Sequence, residues 1–194
     1  ALHAAAHDGH DAIVRLLVDA NADLHLRTTA TWTPLHHASC NGHAAAAQVL
    51  LDAKAHVDAS DSDYMTSLYF AVENDHKSVV KVLVNAKADV NFKDREKKTP
   101  LHHAASMRYA DEREDSLTMQ FLLDAKANVN VLDRDKKTPL HFAAENGDNA
   151  AIQLLLNANA TLDLCDVSSK TALHYAAEKG HCAVLQTLHS MGNL

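Results

Sequence analysis

The chain has 194 residues, 47% of them hydrophobic, and its 18 Lys and Arg against 25 Asp and Glu give a formal net charge of −7. This charge disfavours nucleic acid as a partner, because binding to nucleic acid needs a basic face. The sequence contains no run of about 18 apolar residues, so no membrane-spanning helix is predicted. Cys40, Cys165 and Cys182 are too scattered for a disulfide framework or a metal knuckle, a usage typical of the cytoplasm or another reducing compartment.

A leucine recurs along the chain at a nearly fixed interval. It stands at Leu2, Leu35, Leu68, Leu101, Leu140 and Leu173, so every spacing is 33 residues except one of 39. All three prolines directly precede one of these leucines, and four of the five glycines follow one by seven residues. This register indicates six copies of one unit. Their approximate bounds are 1–27, 28–60, 61–93, 94–132, 133–165 and 166–194, with six extra residues near 106–118.

The fifth copy shows which elements the unit contains. Thr138 is a good helix cap, and Pro139 follows at the first helical position, where its missing N–H costs nothing. The spacing predicts a short Ala-rich helix to about Asn146, a break at Gly147 and a second helix from about Asn149. Neither helix is long enough to persist alone in water.

Apolar columns recur in the second helices of all copies. They contain Val14, Ala47, Val80, Met119, Ile152 and Leu185, and also Leu17, Leu50, Leu83, Leu122, Leu155 and Leu188. Stacking of neighbouring copies would bury these columns, so the sequence predicts an all-α repeat solenoid. The first copy keeps the interior pattern where a terminal repeat needs a polar outer face, which predicts that the native polypeptide extends beyond residue 1.

The words "TPLHHA", "TPLHFAAENGD", "KTALHYAAEKGH" and "LVNAKADVN" resemble ankyrin repeats, and the resemblance covers the whole chain. It implies helix–turn–helix units joined by β-hairpin-like fingers, forming a single curved domain over 1–194. In this family, the concave side made of first helices and fingers usually binds another protein. The resemblance therefore implies a non-catalytic protein-binding scaffold without a cofactor, whose partner is a protein of unknown identity.

The resemblance also gives most histidines a structural role. In ankyrin repeats, the histidine directly after the recurring leucine supports the threonine cap and connects adjacent repeats. In this chain that column contains His3, His36, His102, His141 and His174. A second column belongs to the family word "GH" and contains His10, His43, His76 and His181. His37 and His103 share a column with alanine and phenylalanine, which argues against a ligand role. Neither a metal site nor a catalytic histidine is predicted.

The chain departs from the family where a glycine usually follows the second helix. Lys54, Lys87 and Lys126 occupy that column, together with two asparagines. The position resembles the residue just after a helix, where φ is positive. The sequence therefore predicts left-handed lysines, each of which costs roughly 1 kcal/mol for its Cβ.

No catalytic motif of the phosphate-loop, serine-elbow or zinc-helix type is present. Cys40 is the one candidate nucleophile, because His36, His37 and His43 lie near it in sequence. The alternative is that Cys40 is a small, partly buried packing residue. A thiol pKa below that of free cysteine would favour the nucleophile.

The fingers carry the candidate partner-binding residues, because their side chains differ from one repeat to the next while the helix positions keep the same residue types. The predicted set is Trp32, Met65, Arg95, Lys98, Arg134 and Lys137. Trp32 and Arg95 are expected to be exposed anchors that can be removed without loss of the fold. The first finger carries the only Trp, the second is acidic, and the third and fourth are basic, which suggests a partner with apolar, basic and acidic zones in sequence. Alternatively, finger charges serve only solubility.

The insertion in the fourth copy provides a competing contact through Met107, Arg108 and Tyr109. It is also compatible with a tolerated surface loop. A second possible function remains beside the scaffold, in which the chain is a structural or peripheral subunit, or an excised segment, of a larger assembly or multidomain enzyme.

Overall fold

A computed structural model describes residues 1–107 and 116–192. Within those ranges the chain forms helix pairs joined by turns, and none of the helices is long and apolar enough to cross a membrane. The helices are α1 (Leu2–His7), α2 (Asp11–Asp19), α3 (Pro34–Cys40), α4 (Ala44–Asp52), α5 (Ser67–Glu73), α6 (Lys77–Asn85), α7 (Pro100–Ser106), α8 (Ser116–Asp124), α9 (Pro139–Asn146), α10 (Asn149–Asn157), α11 (Ala172–Lys179) and α12 (Cys182–Gly192). We call the odd-numbered helices the first helices and the even-numbered ones the second helices.

From the second repeat onward, each first helix begins after the threonine that the sequence predicts as its cap. These threonines have extended backbone, with ψ between 166° and 171°: Thr33, Thr66, Thr99, Thr138 and Thr171. Four of them form a capping box with the histidine three residues later, in which each side chain bonds the other residue's backbone N–H. The third repeat has Tyr69 in place of this histidine, and there the Thr66 hydroxyl accepts the Tyr69 N–H at 3.4 Å.

The chain divides into two compact units, Ala1–Arg95 and Glu96–Leu194, and each buries its own leucine columns. Leucines that are at most 1% exposed are Leu35, Leu50, Leu68 and Leu83 in the first unit, and Leu101, Leu122, Leu140 and Leu155 in the second. Fully burying one leucine stabilises the fold by about 1.5–3 kcal/mol relative to leaving it exposed. The predicted apolar columns therefore hold each unit together; that all 194 residues form one domain stays a prediction.

The fingers are tight turns, and no regular strand occurs in the described part of the chain. One isolated antiparallel bridge joins Ser60 and Thr66. The resemblance to a hairpin comes from a backbone bond across the turn, as from Asp61 N–H to the Met65 carbonyl at 2.9 Å, and Thr28, Asp133 and Asp166 donate the equivalent bond in their own fingers. The corner residue of each finger has φ between 59° and 63°, and this column contains Thr31, Tyr64, Lys97, Lys136 and Ser169.

The predicted left-handed lysines are present. Lys54, Lys87 and Lys126 have φ of 70°, 67° and 69°. Around the first of them, the Lys54 and Ala55 N–H groups donate to the Leu51 and Leu50 carbonyls, both at 2.9 Å. These bonds satisfy carbonyls that the end of α4 would otherwise leave unpaired. The conformation is therefore fixed by the helix end, although lysine is a poor residue for it.

Replacing each of these lysines by glycine should raise the free energy of unfolding by roughly 1 kcal/mol, because glycine adopts positive φ without a Cβ penalty. Lys81→Gly is the matched control, since Lys81 is exposed inside α6 and the same change there should destabilise by about 1 kcal/mol. Urea denaturation of the Lys87→Gly and Lys81→Gly variants compares both effects within the first unit. Equal shifts of the two midpoints would contradict the conformational explanation.

Candidate protein-binding surface

The histidines that directly follow the recurring leucines are structural: they hold each repeat together and connect it to the next finger. We call these structural side chains of the repeats the frame. His36 Nδ1 accepts the Thr33 backbone N–H at 3.1 Å, and Nε2 donates to the Met65 carbonyl in the following finger at 3.3 Å. His102 repeats this with the Lys137 carbonyl at 3.1 Å. Because Nδ1 is an acceptor, the ring is neutral and carries its proton on Nε2. Burial lowers the pKa of His36 and of His102 to about 4.

The second histidine column connects neighbouring repeats across a glycine. His43 Nε2 donates to the His7 carbonyl at 2.9 Å, and the ring covers Gly9 so closely that a Cβ there would lie 2.4 Å from His43 Nδ1. His181 does the same to the Glu145 carbonyl, at 3.1 Å, and to Gly147. The glycine is required by the next repeat's ring as well as by its own turn.

Aspartates at the start of the fingers are also structural. Asp61 Oδ1 accepts the backbone N–H groups of Asp63 and Met65, both at 2.9 Å. Asp133 and Asp166 make the same pair of bonds in their own fingers. These carboxylates hold the turn in place.

In the first unit, Trp32 is part of the frame and is half-buried. Its ring lies 4.4 Å, centroid to centroid, from that of Phe70, and its Nε1–H donates to Asp61 Oδ2 at 3.2 Å. The expectation of a freely removable anchor is therefore wrong for Trp32, because truncation would break packing inside the unit. Met65 is also half-buried, whereas the neighbouring corner residue Tyr64 is 57% exposed.

Charges on neighbouring finger tips pair with one another. Arg95 lies 3.1 Å from Asp63 and donates to the Ser62 carbonyl at 3.0 Å. In the second unit, Arg134 lies 3.5 Å from Glu96. All four charged side chains are about half exposed, so each pair adds little stability. Arg95 and Arg134 are thus each paired with a carboxylate of the preceding finger.

Lys98 and Lys137 lie beside aromatic rings in the second unit. Lys98 Nζ is 5.1 Å from the Phe142 ring centroid, and Lys137 Nζ is 5.4 Å from Phe142 and 4.3 Å from Tyr175. Lys170 Nζ continues the series at 5.5 Å from Tyr175. We call these five residues the lysine–aromatic row. Sequence reasoning missed Phe142, Tyr175 and Lys170, although their recurrence in two fixed columns was a usable signal.

The insertion is only partly described. Met107 follows α7 with extended backbone and is half-buried. Arg108 and Tyr109 lie outside the described residues, so the competing contact at the insertion stays a prediction.

Cys40 lacks the environment of an activated nucleophile. Burial, and in second place the charge of Glu73, raise the pKa of its thiol, whereas reactive cysteines have a lowered pKa. In the described ranges, no group of three or more His, Cys, Asp or Glu side chains is arranged to hold a metal ion.

Comparison with known proteins gives one consistent result. A family model described as ankyrin repeats (3 copies) matches residues 1–61, 54–112 and 107–193. The chain is also similar to the ankyrin repeat domain of Bcl-3, described as a unique member of the IkappaB protein family, at 26% identity and a TM-score of 0.86. That match covers 98% of this chain and 85% of the other. No curated protein matches the sequence.

Proposed function

The chain belongs to the ankyrin repeat family, and on that premise we propose that it is a non-catalytic scaffold that binds a partner protein through its first helices and fingers. Ankyrin repeats are generally protein–protein interaction modules. The observation that carries the proposal is that structural and exposed side chains occupy different positions in each repeat. Histidine, aspartate and threonine side chains complete the frame, while the finger corners and tips leave large side chains exposed.

Each unit has its own part in this proposal. In the first unit, Trp32 and Met65 are half-buried, and Tyr64 and Arg95 are exposed. In the second unit, Lys98, Arg134 and Lys137 occupy the corresponding positions. Equivalent residues of successive repeats within a unit are about 10 Å apart if their helices keep ordinary packing distances. An extended partner surface can therefore contact several repeats at once. The free cysteines fit a reducing compartment.

The double change Tyr64→Asn and Arg95→Gln should weaken capture of the partner about thirtyfold, or roughly 2 kcal/mol, because exposed Tyr and Arg are favoured interface anchors. Asparagine tolerates the positive φ at the Tyr64 corner, so the finger keeps its conformation. The measurement is affinity capture from lysate with quantitative mass spectrometry, followed by titration of the purified partner.

Arg15→Gln together with Lys81→Gln is the control, because both residues are exposed on second helices. A third variant replaces Met107, Arg108 and Tyr109 with alanine. If only that variant loses the partner, the insertion is the recognition surface and the finger proposal is wrong.

A further inference from the structure

A cavity of about 410 Å³ lies in the first unit, between the loop that follows α2 and the loop that follows α4. His25 and Arg27 line it from the first loop, and His56 lines it from the second. The His25 and His56 rings pack against each other with their centroids 4.2 Å apart. The cavity therefore brings basic side chains of two consecutive repeats together, at a place that the proposed finger contacts do not use.

In other repeats, the loop column of His25 supplies a hydrogen-bond acceptor to the following loop. Asp58 Oδ1 accepts the Asp89 backbone N–H at 2.9 Å, and Asn130 Oδ1 makes the equivalent bond at 2.8 Å. His25 packs against His56 instead, and the His56 backbone N–H has no acceptor in the described part of the chain. A donor that a side-chain oxygen satisfies in other repeats is thus unpaired beside the cavity.

A second backbone donor of the same loop also lacks its usual acceptor. In the preceding loop, Asp23 Oδ1 accepts the His25 backbone N–H at 2.8 Å, and the third loop has the same bond at 2.8 Å. His56 occupies this acidic column in the second loop, and no described residue accepts the Asp58 N–H. Two N–H groups, two residues apart, are therefore available to an external oxygen.

Arg27 adds a positive charge to these donors. Its Nη1 donates to the Thr31 and Ser60 carbonyls, at 2.9 and 2.6 Å, so the guanidinium is held by backbone oxygens. Its other N–H groups and the ring nitrogens of His25 and His56 form no hydrogen bond with the described residues. These groups supply further donors to a ligand in the cavity.

We propose that this cavity binds a carboxylate side chain, Asp or Glu, of the partner protein. The carboxylate oxygens replace the acceptors that Asp and Asn side chains supply in other loops, and they accept the N–H groups of His56 and Asp58. Arg27 favours a charged carboxylate over a neutral amide. The inference rests on the proposed protein-binding function and specifies one chemical group of the partner.

Two other ligands fit the cavity less well. A metal ion would be repelled by Arg27 and the N–H donors, and no group of three or more His, Cys, Asp or Glu side chains in the described ranges is arranged to hold one. A phosphate group carries a charge of about −1.5 to −2 at neutral pH. The Asp58 carboxylate in the lining therefore repels phosphate more strongly than it repels a carboxylate.

Acetate is the probe, and acetamide is its neutral counterpart. Binding to the full chain is followed by two-dimensional NMR of the backbone amides, at neutral pH and constant ionic strength. Acetate should shift the amide signals of His56 and Asp58 until they saturate. Acetamide should bind at least about fivefold more weakly, because it lacks the charge that Arg27 recognises.

His25→Asn supplies the acceptor that Asn130 provides in the same column. It should occupy the His56 N–H and weaken acetate binding about tenfold. Arg27→Gln should weaken acetate binding about fivefold. Lys93→Gln is the control, because it removes the same charge from the Arg27 column two repeats later and should leave acetate binding unchanged. The amide spectrum of each variant checks that it folds.

The inference is wrong if acetate leaves the His56 and Asp58 signals unchanged, or if His25→Asn binds acetate as tightly as the original chain. Full capture of the partner by His25→Asn would also contradict it. Tighter binding of inorganic phosphate than of acetate would assign the cavity to phosphate groups instead. If Tyr64→Asn with Arg95→Gln loses the partner while acetate does not bind, the proposed function stands and only the carboxylate inference fails.

Discussion

Lowering the pH from 6.5 to 4 should destabilise each unit by about 3 kcal/mol through a single buried histidine, His36 in the first and His102 in the second. Both rings are fully buried, and both have a pKa of about 4 in the folded chain. An unfolded chain returns them to about 6.5. His141 shares the geometry and has a lowered pKa, which adds to the effect in the second unit.

The direction follows from which state binds protons. Because the folded pKa lies below the unfolded one, only the unfolded chain gains protons as the pH falls between the two values. The stabilisation is therefore complete above pH 6.5 and is lost progressively down to pH 4. Protonated His36 Nδ1 could no longer accept the Thr33 N–H, so acid removes the helix cap and the link to the next finger together.

Urea denaturation at several pH values measures this dependence. His102→Gln keeps an acceptor for Thr99 and a donor for the Lys137 carbonyl, but it does not titrate. This variant should lose roughly 3 kcal/mol of the pH dependence between 6.5 and 4. His56→Gln is the control, because His56 is exposed and outside the cap column. An unchanged pH profile for His102→Gln would show that this ring does not couple stability to protons.

Gly147→Ala should cost about 3 kcal/mol in the free energy of unfolding, far more than the same change at Gly180. Both glycines have nearly the same positive φ, 77° and 76°. A Cβ at Gly147 would lie 2.5 Å from His181 Nδ1, whereas a Cβ at Gly180 would meet nothing within 4 Å. Gly180→Ala thus measures backbone strain alone, about 1 kcal/mol. The rest of the stability lost at Gly147 comes from displacing His181 and from losing its hydrogen bond to the Glu145 carbonyl.

A double-mutant cycle separates the two contributions at Gly147. If the histidine ring is the obstacle, Gly147→Ala combined with His181→Ala should be less destabilised than the sum of the single changes. Urea midpoints of the three variants and of Gly180→Ala give the coupling energy. Equal costs at Gly147 and Gly180 would mean that the ring moves aside freely.

One exception in the glycine column agrees with this explanation. The third repeat has Asp75 in that column, with φ of 52°. The following repeat carries the insertion and has no "GH" word. Glycine is thus kept in the three described repeats whose successor supplies a histidine ring: Gly9, Gly42 and Gly147.

Local chemistry explains why so much of the frame was predictable from residues alone. The threonine caps, the proline after three of them, the helix breaks and the positive φ of Lys54, Lys87 and Lys126 depend on neighbours within a few positions. Repetition strengthened each assignment, because one pattern is read six times. The histidine roles were implied by the resemblance to ankyrin repeats.

Side-chain exposure and pairing could not be read in this way, because they depend on residues about 30 positions away. Trp32 looks like an exposed anchor in sequence, but contacts with Phe70 and Asp61 make it part of the frame. Arg95 looks like a free positive charge, but Asp63 of the preceding finger neutralises it.

The sequence by itself determined the helix pairs, their caps and the stacking columns, since these follow from short-range periodicity and backbone preference. Only the tertiary structure decided which charges remain available to a partner. Within each unit, stacking brings consecutive repeats side by side, so residues 33 or 39 positions apart become neighbours. That contact pairs the finger tips with one another and aligns Lys98, Lys137 and Lys170 beside Phe142 and Tyr175.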